Sequence, residues 1–170
     1  AQFLLGGAYF VGTNVPQNDT EAVAWLRKAA DQNHAGAQRL LGVLYSDGRG
    51  VPQDKAQAVM WFRKAAEQNL AEAQYNLGGA YLGDLSVPQN NVQGAVWVRK
   101  AAEQGLARAQ LQLGALYEMG KGVPQNKAQA AVWYRKAADQ GDAIAQFELG
   151  MTYWDNRGEK PSDIVQSVGW

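Results

Sequence analysis

Cysteine is absent from this 170-residue chain, so disulfides and thiolate metal sites are excluded and cysteine usage says nothing about redox compartment. A single histidine, His34, leaves too few nitrogen and sulfur ligands for a transition-metal site of the usual kind. As a catalytic base it would need a nucleophile and an orienting group nearby, and no cysteine exists. No set of residues meets the requirements of an active site, so a non-enzyme is expected, with no catalytic residue, no cofactor and no metal. An excess of charge is missing too. Sixteen Lys and Arg balance sixteen Asp and Glu, which removes the electrostatic reason to expect nucleic acid or an anionic membrane as partner. No apolar run approaches the roughly 20 residues of a membrane helix, so no membrane insertion is expected. The opening AQFLLGGAYF lacks the basic stretch that precedes the apolar part of a signal peptide.

What the chain does have is glycine, nineteen residues of it, at regular positions. Ala-Gln stands at Ala1-Gln2, Ala37-Gln38, Ala73-Gln74, Ala109-Gln110 and Ala145-Gln146, each step being 36 residues. Leu-Gly follows in register at Leu5-Gly6, Leu41-Gly42, Leu77-Gly78, Leu113-Gly114 and Leu149-Gly150. Then come Tyr9, Tyr45, Tyr81, Tyr117 and Tyr153, and Val-Pro at Val15, Val51, Val87 and Val123. Tryptophan recurs at Trp25, Trp61, Trp97 and Trp133, and the fifth copy runs one residue late at Pro161 and Trp170. Self-similarity at such a period is the mark of a repeat architecture. One repeat domain over residues 1–170 is expected, with units starting near 1, 37, 73, 109 and 145.

Each unit reads as two helices. In the first, such as Glu72 to Leu82, Ala73, Leu77 and Tyr81 share one helical face. The glycine after the leucine removes a side chain where another helix must come close; its helix cost of about 1 kcal/mol is accepted only for such packing. The loop, GRGVPQ or GKGVPQ, breaks the helix. Asn18, Asp54, Asn90, Asn126 and Asp163 fit the N-cap of the second helix, and Glu21, Gln57, Gln93, Gln129 and Gln166 complete capping boxes by reaching back to the cap N–H. The tryptophans, beside alanine pairs such as Ala65-Ala66, are expected as core anchors. The tyrosines are expected as core whose hydroxyls need partners. Asn33, Asn69, Gly105 and Gly141 fit left-handed helix ends.

The pattern A-x-A-Q-x-x-L-G-x-x-Y, glycine-rich loop, V-P-Q-[DN], A-x-x-W-[FY]-R-K-A-A-[ED]-Q-[GN] resembles the Sel-one-like repeat family, relatives of tetratricopeptide repeats, over essentially the whole chain. The resemblance implies an all-α right-handed α/α superhelix of five helix–turn–helix units, the last incomplete. It implies a non-catalytic scaffold or adaptor that binds a protein or peptide on its concave face. The alternative is a structural spacer or assembly segment of a longer bacterial protein. Some bacterial members are rich in disulfides; this chain has no cysteine, so their secreted character is not carried over and either bacterial cytoplasm or periplasm remains open. Solenoid ends normally carry polar capping repeats. Neither end does here, so part of a longer array is expected, and the apolar ends would permit end-to-end self-association.

By resemblance to tetratricopeptide repeats, the inner groove is lined by first-helix positions. These are Phe3, Gly7 and Phe10; Arg39, Val43 and Ser46; Glu72, Tyr75, Gly79 and Leu82; Arg108, Leu111, Ala115 and Glu118; and Ile144, Phe147, Met151 and Trp154. Arg39, Tyr75, Arg108 and Trp154 are expected to present an inner surface to the partner. The competing expectation is that some, especially Phe3, Leu111 and Phe147, pack between repeats. The lysine and asparagine set of chaperone-tail clamps is not matched, since Phe3, Gly7, Arg39 and Glu72 stand there. His34 reads as a solvent-exposed turn residue. Gly48-Arg49-Gly50 and Gly120-Lys121-Gly122 precede a helix N-terminus, which favours anions. They lack the remainder of a P-loop, and GTNVPQN and GDLSVPQN lack the basic residue, so a connector is expected. The Arg-Lys pairs at Arg27, Arg63, Arg99 and Arg135 fit a solvated face that complements the helix dipole.

Overall fold

The computed structural model describes residues 1–85 and 88–157, with side chains as far as Thr152 except that of Asp84. No strand occurs among the described residues. The helices are α1 (Gln2–Val11), α2 (Asp19–Asp31), α3 (Ala35–Asp47), α4 (Lys55–Glu67), α5 (Ala71–Gly79), α6 (Asn91–Glu103), α7 (Ala107–Met119), α8 (Lys127–Ala138) and α9 (Ala143–Arg157). Odd numbers are first helices of the repeats and even numbers second helices, so the all-α tandem helix–turn–helix reading holds. The chain falls into two compact units, Ala1–Asn90 and one that begins at Asn91. In the first, α1 to α5 each pack on the next; in the second, α6 packs on α7, α7 on α8 and α8 on α9. The sequence positions Pro161, Asp163, Gln166 and Trp170 lie outside the described residues.

The alanine and leucine of the first-helix motif form the core: Ala37, Leu41, Ala73, Leu77, Ala109 and Leu113 are fully buried. The glycine beside each leucine admits the second helix of its own repeat. A Cβ on Gly6 would lie 2.7 Å from Leu26 Cγ, and one on Gly42 or Gly114 would lie 2.5 Å from the ring of Phe62 or Tyr134. The expectation that the tryptophans are core anchors holds for two of the four. Trp61 and Trp133 are buried, but Trp25 and Trp97 only half so. Each carries the ammonium of the lysine three residues on, 4.1 to 4.4 Å above its ring. The enclosed anchor is the following residue, Leu26, Phe62, Val98 or Tyr134. Adjacent helix positions point about 100° apart, so when one side chain enters the core its neighbour lies at the rim.

The Arg-Lys pairs are likewise more than a solvated face. Arg27, Arg63 and Arg99 donate to the hydroxyls of Tyr45, Tyr81 and Tyr117 in the next repeat, the last at 2.7 Å. The tyrosine hydroxyls thus find the partners that burial demands, and the lysine of each pair covers a tryptophan.

The second-helix caps form as expected on one side only. Asn18 Oδ1 accepts from Thr20 and Glu21 N–H, Asp54 from Gln57 N–H at 2.9 Å and Asn126 from Gln129 N–H at 2.9 Å. The return bond of the capping box is superseded. The cap N–H groups of Asn18, Asp54, Asn90 and Asn126 donate to the carbonyls of Tyr9, Tyr45, Tyr81 and Tyr117, at 2.8 to 3.0 Å. The loop glutamines act in parallel: Gln17, Gln53, Gln89 and Gln125 donate to Phe10, Ser46, Leu82 and Glu118 carbonyls, left open at first-helix ends.

The Ala-Gln glutamines tie repeat to repeat. Gln38, Gln74, Gln110 and Gln146 donate to the carbonyls of Ala30, Ala66, Ala102 and Ala138, eight residues back. The oxygens of Gln2, Gln38 and Gln110 accept from Gln32, Gln68 and Gln140, thirty residues on. Gln38, Gln74 and Gln110 are buried, and this bonding satisfies them. Asn33, Asn69, Gly105 and Gly141 take positive φ, as their residue types allow.

Candidate functional site

Repeat packing consumes part of the expected groove set. Leu82 is buried, so it packs and does not face a partner. Phe3 stacks on His34 with centroids 4.2 Å apart, and Phe10 lies under the Arg49 guanidinium at 4.6 Å. Leu111 packs against the core around Tyr134. The Glu118 carboxylate accepts from Tyr134 Oη at 2.7 Å. Burial first, and then this carboxylate, push the Tyr134 phenol well above its ordinary value.

Other members remain partly or fully accessible. Arg39, Val43, Glu72 and Tyr75 are half-buried in the first unit. In the second, Arg108, Ile144 and Phe147 are exposed and Met151 is half-buried. The side chain of Trp154 lies outside the described residues. In the first unit four of the expected positions come together. Val43, Ser46, Tyr75 and Gly79 line a cleft of about 200 Å³ with Asp47, Phe62, Asn76 and Leu85. The last four were not singled out from the sequence.

Leu85 reaches the cleft because the third repeat departs from its sisters. α1, α3 and α7 end on the left-handed glycines Gly12, Gly48 and Gly120, three residues after the tyrosine. In the third repeat the glycine comes one residue early, as Gly83 with φ of +119°. The helix α5 leaves through a π-helical turn, Ala80–Asp84, and the next residue is Leu85. The available signal was the loop GDLSVPQN, where leucine replaces the Arg49 and Lys121 of the second and fourth repeats.

The apparent phosphate cradle is a docking point. Arg49 makes a two-pronged ion pair with Asp19 of the preceding repeat, at 2.8 and 3.0 Å. That hydrogen bond raises the proton affinity of the guanidinium further, against a smaller desolvation effect. A Cβ on Gly50 or Gly122 would run into the carbonyl of Asp19 or Asn91, so these glycines are demanded by packing. His34 is exposed, as expected, yet it is also the N-cap of α3, its Nδ1 accepting from Ala37 N–H at 3.2 Å. Asp142 does the same for α9, accepting from Ala145 N–H at 2.9 Å. Among the described residues no group of three His, Cys, Asp or Glu could hold a metal ion. No described helix is long and apolar enough to cross a membrane.

The Sel1 repeat family model matches residues 1–34, 35–70, 71–106, 107–142 and 143–170. A Sel1 repeat protein from Oxalobacter formigenes is 37% identical with a TM-score of 0.84, over 91% of this chain and 62% of that one. The present chain therefore spans less than two thirds of that relative's length. Helicobacter pylori cysteine rich protein B is 26% identical with a TM-score of 0.59, over 76% of this chain and 92% of that one. A Pseudomonas aeruginosa protein, 24% identical with a TM-score of 0.58 over 88% of this chain and 58% of that one, shares the fold. No curated protein matches the chain.

Proposed function

The chain belongs to the Sel1 repeat family, whose members are generally non-enzymatic protein-interaction scaffolds, and from that premise we propose that it is an adaptor binding a protein or peptide on its first-helix faces. One observation carries the reading. The Ala and Leu packing positions of the first helices keep the same residue in every repeat and are buried in the second to fifth, whereas Val43, Tyr75, Arg108 and Phe147, on the same helices, differ in chemistry and keep accessible surface. Large aromatic and arginine side chains are also the residues that dominate interface energetics. Neutral net charge points to shape and pockets as the source of specificity, with charge confined to local contacts.

The spacer reading has its own support. Phe3, Phe10, Leu82, Leu111 and Glu118 serve internal packing. Capture of partners from the source organism by wild type and by the variant Val43→Arg/Tyr75→Ala separates the two. The adaptor reading expects a partner bound by wild type and weakened by more than about 2 kcal/mol in the variant, with an unchanged melting point. Equal capture by wild type, this variant and Arg108→Ala/Phe147→Ala would leave the spacer.

A further inference from the structure

We propose that the cleft between α3 and α5 is the anchoring site of the binding face, and that it takes a basic, extended segment of a partner protein. One aliphatic side chain of that segment enters the cleft, and a neighbouring Lys or Arg meets Asp47. The inference rests on the adaptor reading and adds the chemistry of the ligand. Its apolar walls are Val43, Tyr75 and Leu85, with buried Gly79 among the lining. A volume of about 200 Å³ suits a single aliphatic side chain better than a helix or a folded surface.

Two polar groups line the same cleft with no hydrogen bond or ion pair among the described residues. The Asn76 side-chain amide makes no hydrogen bond among the described residues, so it offers one donor and one acceptor to a passing backbone. Asp47 is exposed and forms no ion pair among the described residues; Arg49, two residues on, feels its charge but spends its direct contacts on Asp19. It is the one charged group among the described residues lining the cleft, so the complementary ligand is cationic at that point. The location is marked independently by the backbone. The π-helical turn at Ala80–Asp84 breaks the pattern of the sister repeats and is followed at once by Leu85 in the cleft. A local departure from an otherwise consistent repeat pattern is where function is expected to override packing.

The sister repeats supply substitutions that the fold already tolerates. Leu85→Lys installs the residue of the fourth repeat, and Asp47→Met that of the same repeat's first-helix end. Phage-displayed random seven-residue peptides are selected on the whole chain, and the enriched sequences are synthesised with a fluorescent label. Titration by fluorescence anisotropy against wild type, Leu85→Lys, Asp47→Met, Phe147→Ala and, as the control, Val132→Ala, an exposed position of second helix α8, then reads the site. The expected result is enrichment of Leu, Ile or Met beside Lys or Arg. Affinity should fall at least tenfold in Leu85→Lys and Asp47→Met and hold in Val132→Ala. Peptides without that pairing, or unaffected by the two cleft variants, overturn the proposal. If Phe147→Ala alone weakens binding, the cleft fails while the adaptor reading stands. If no peptide is retained, the proposal falls; the adaptor reading is then judged on the capture of whole partners.

Discussion

At the scale of single residues, the deciding contact is a glycine facing a side chain across two helices. Replacing Gly42 with alanine would add about 1 kcal/mol of intrinsic helix stability. It would also place a methyl carbon 2.5 Å from the buried Phe62 ring, which would have to shift. Overpacking of this kind costs roughly 1–3 kcal/mol beyond any local gain. Gly42→Ala is therefore expected to lower the urea midpoint, and Gly42→Ala/Phe62→Leu to recover part of the loss. A midpoint raised by Gly42→Ala would remove the close-approach argument. Tyr134, in the position equivalent to Phe62, adds a dependence on pH. Its phenol holds its proton to higher pH in the folded chain than the value of about 10 in an unfolded one. The unfolded state thus releases the proton first. The stability contribution is complete below about pH 10 and declines as pH rises beyond it. Tyr134→Phe should show a flatter decline in denaturation midpoint between about pH 9 and about pH 11 than wild type.

At the scale of elements, each second helix is held at its start by two bonds from different sources. The cap side chain accepts from the helix, while the cap N–H is given to the preceding tyrosine's carbonyl. Asp54→Ala should accordingly lose about 1 kcal/mol. Gln57→Ala, which leaves both bonds in place, should stay within about 0.5 kcal/mol of wild type. Equal losses in denaturant titrations would restore the reciprocal capping box. Here the limits of reading the sequence become physical. The helices, their caps and the purpose of the Leu-Gly glycine were legible because those residues repeat. The anchor filling the glycine's notch was not, because Leu26, Phe62, Val98 and Tyr134 vary while the neighbouring tryptophan does not. Invariance drew attention to the rim and away from the centre. The return bond of the cap failed for a different reason: the N–H had a competitor in a carbonyl nine residues earlier, invisible to a local motif. The cleft was legible only in part. Val43 and Tyr75 follow from their register, whereas Leu85 depends on a π-turn created by a glycine displaced by one position.

At the scale of the whole molecule, the buried glutamines tie the repeats to a fixed spacing. Gln38 donates to a carbonyl eight residues back and accepts from an amide thirty residues on. An insertion inside either interval would separate a buried amide from its partner, and an unsatisfied buried group costs roughly 1–3 kcal/mol. Removal of residues 37–72, one full period of 36, would instead bring Gln74 to the Ala30 carbonyl in place of Gln38. The tyrosine and cap bonds would likewise find equivalent partners, and only Asp19 and Phe10 would meet Leu85 in place of Arg49. A gene built this way can lengthen or shorten by unequal recombination between its own repeats, in whole-period steps, and still encode a chain that folds. Its number of first-helix faces is then a heritable variable that changes by integers, while the chemistry of each face drifts one codon at a time.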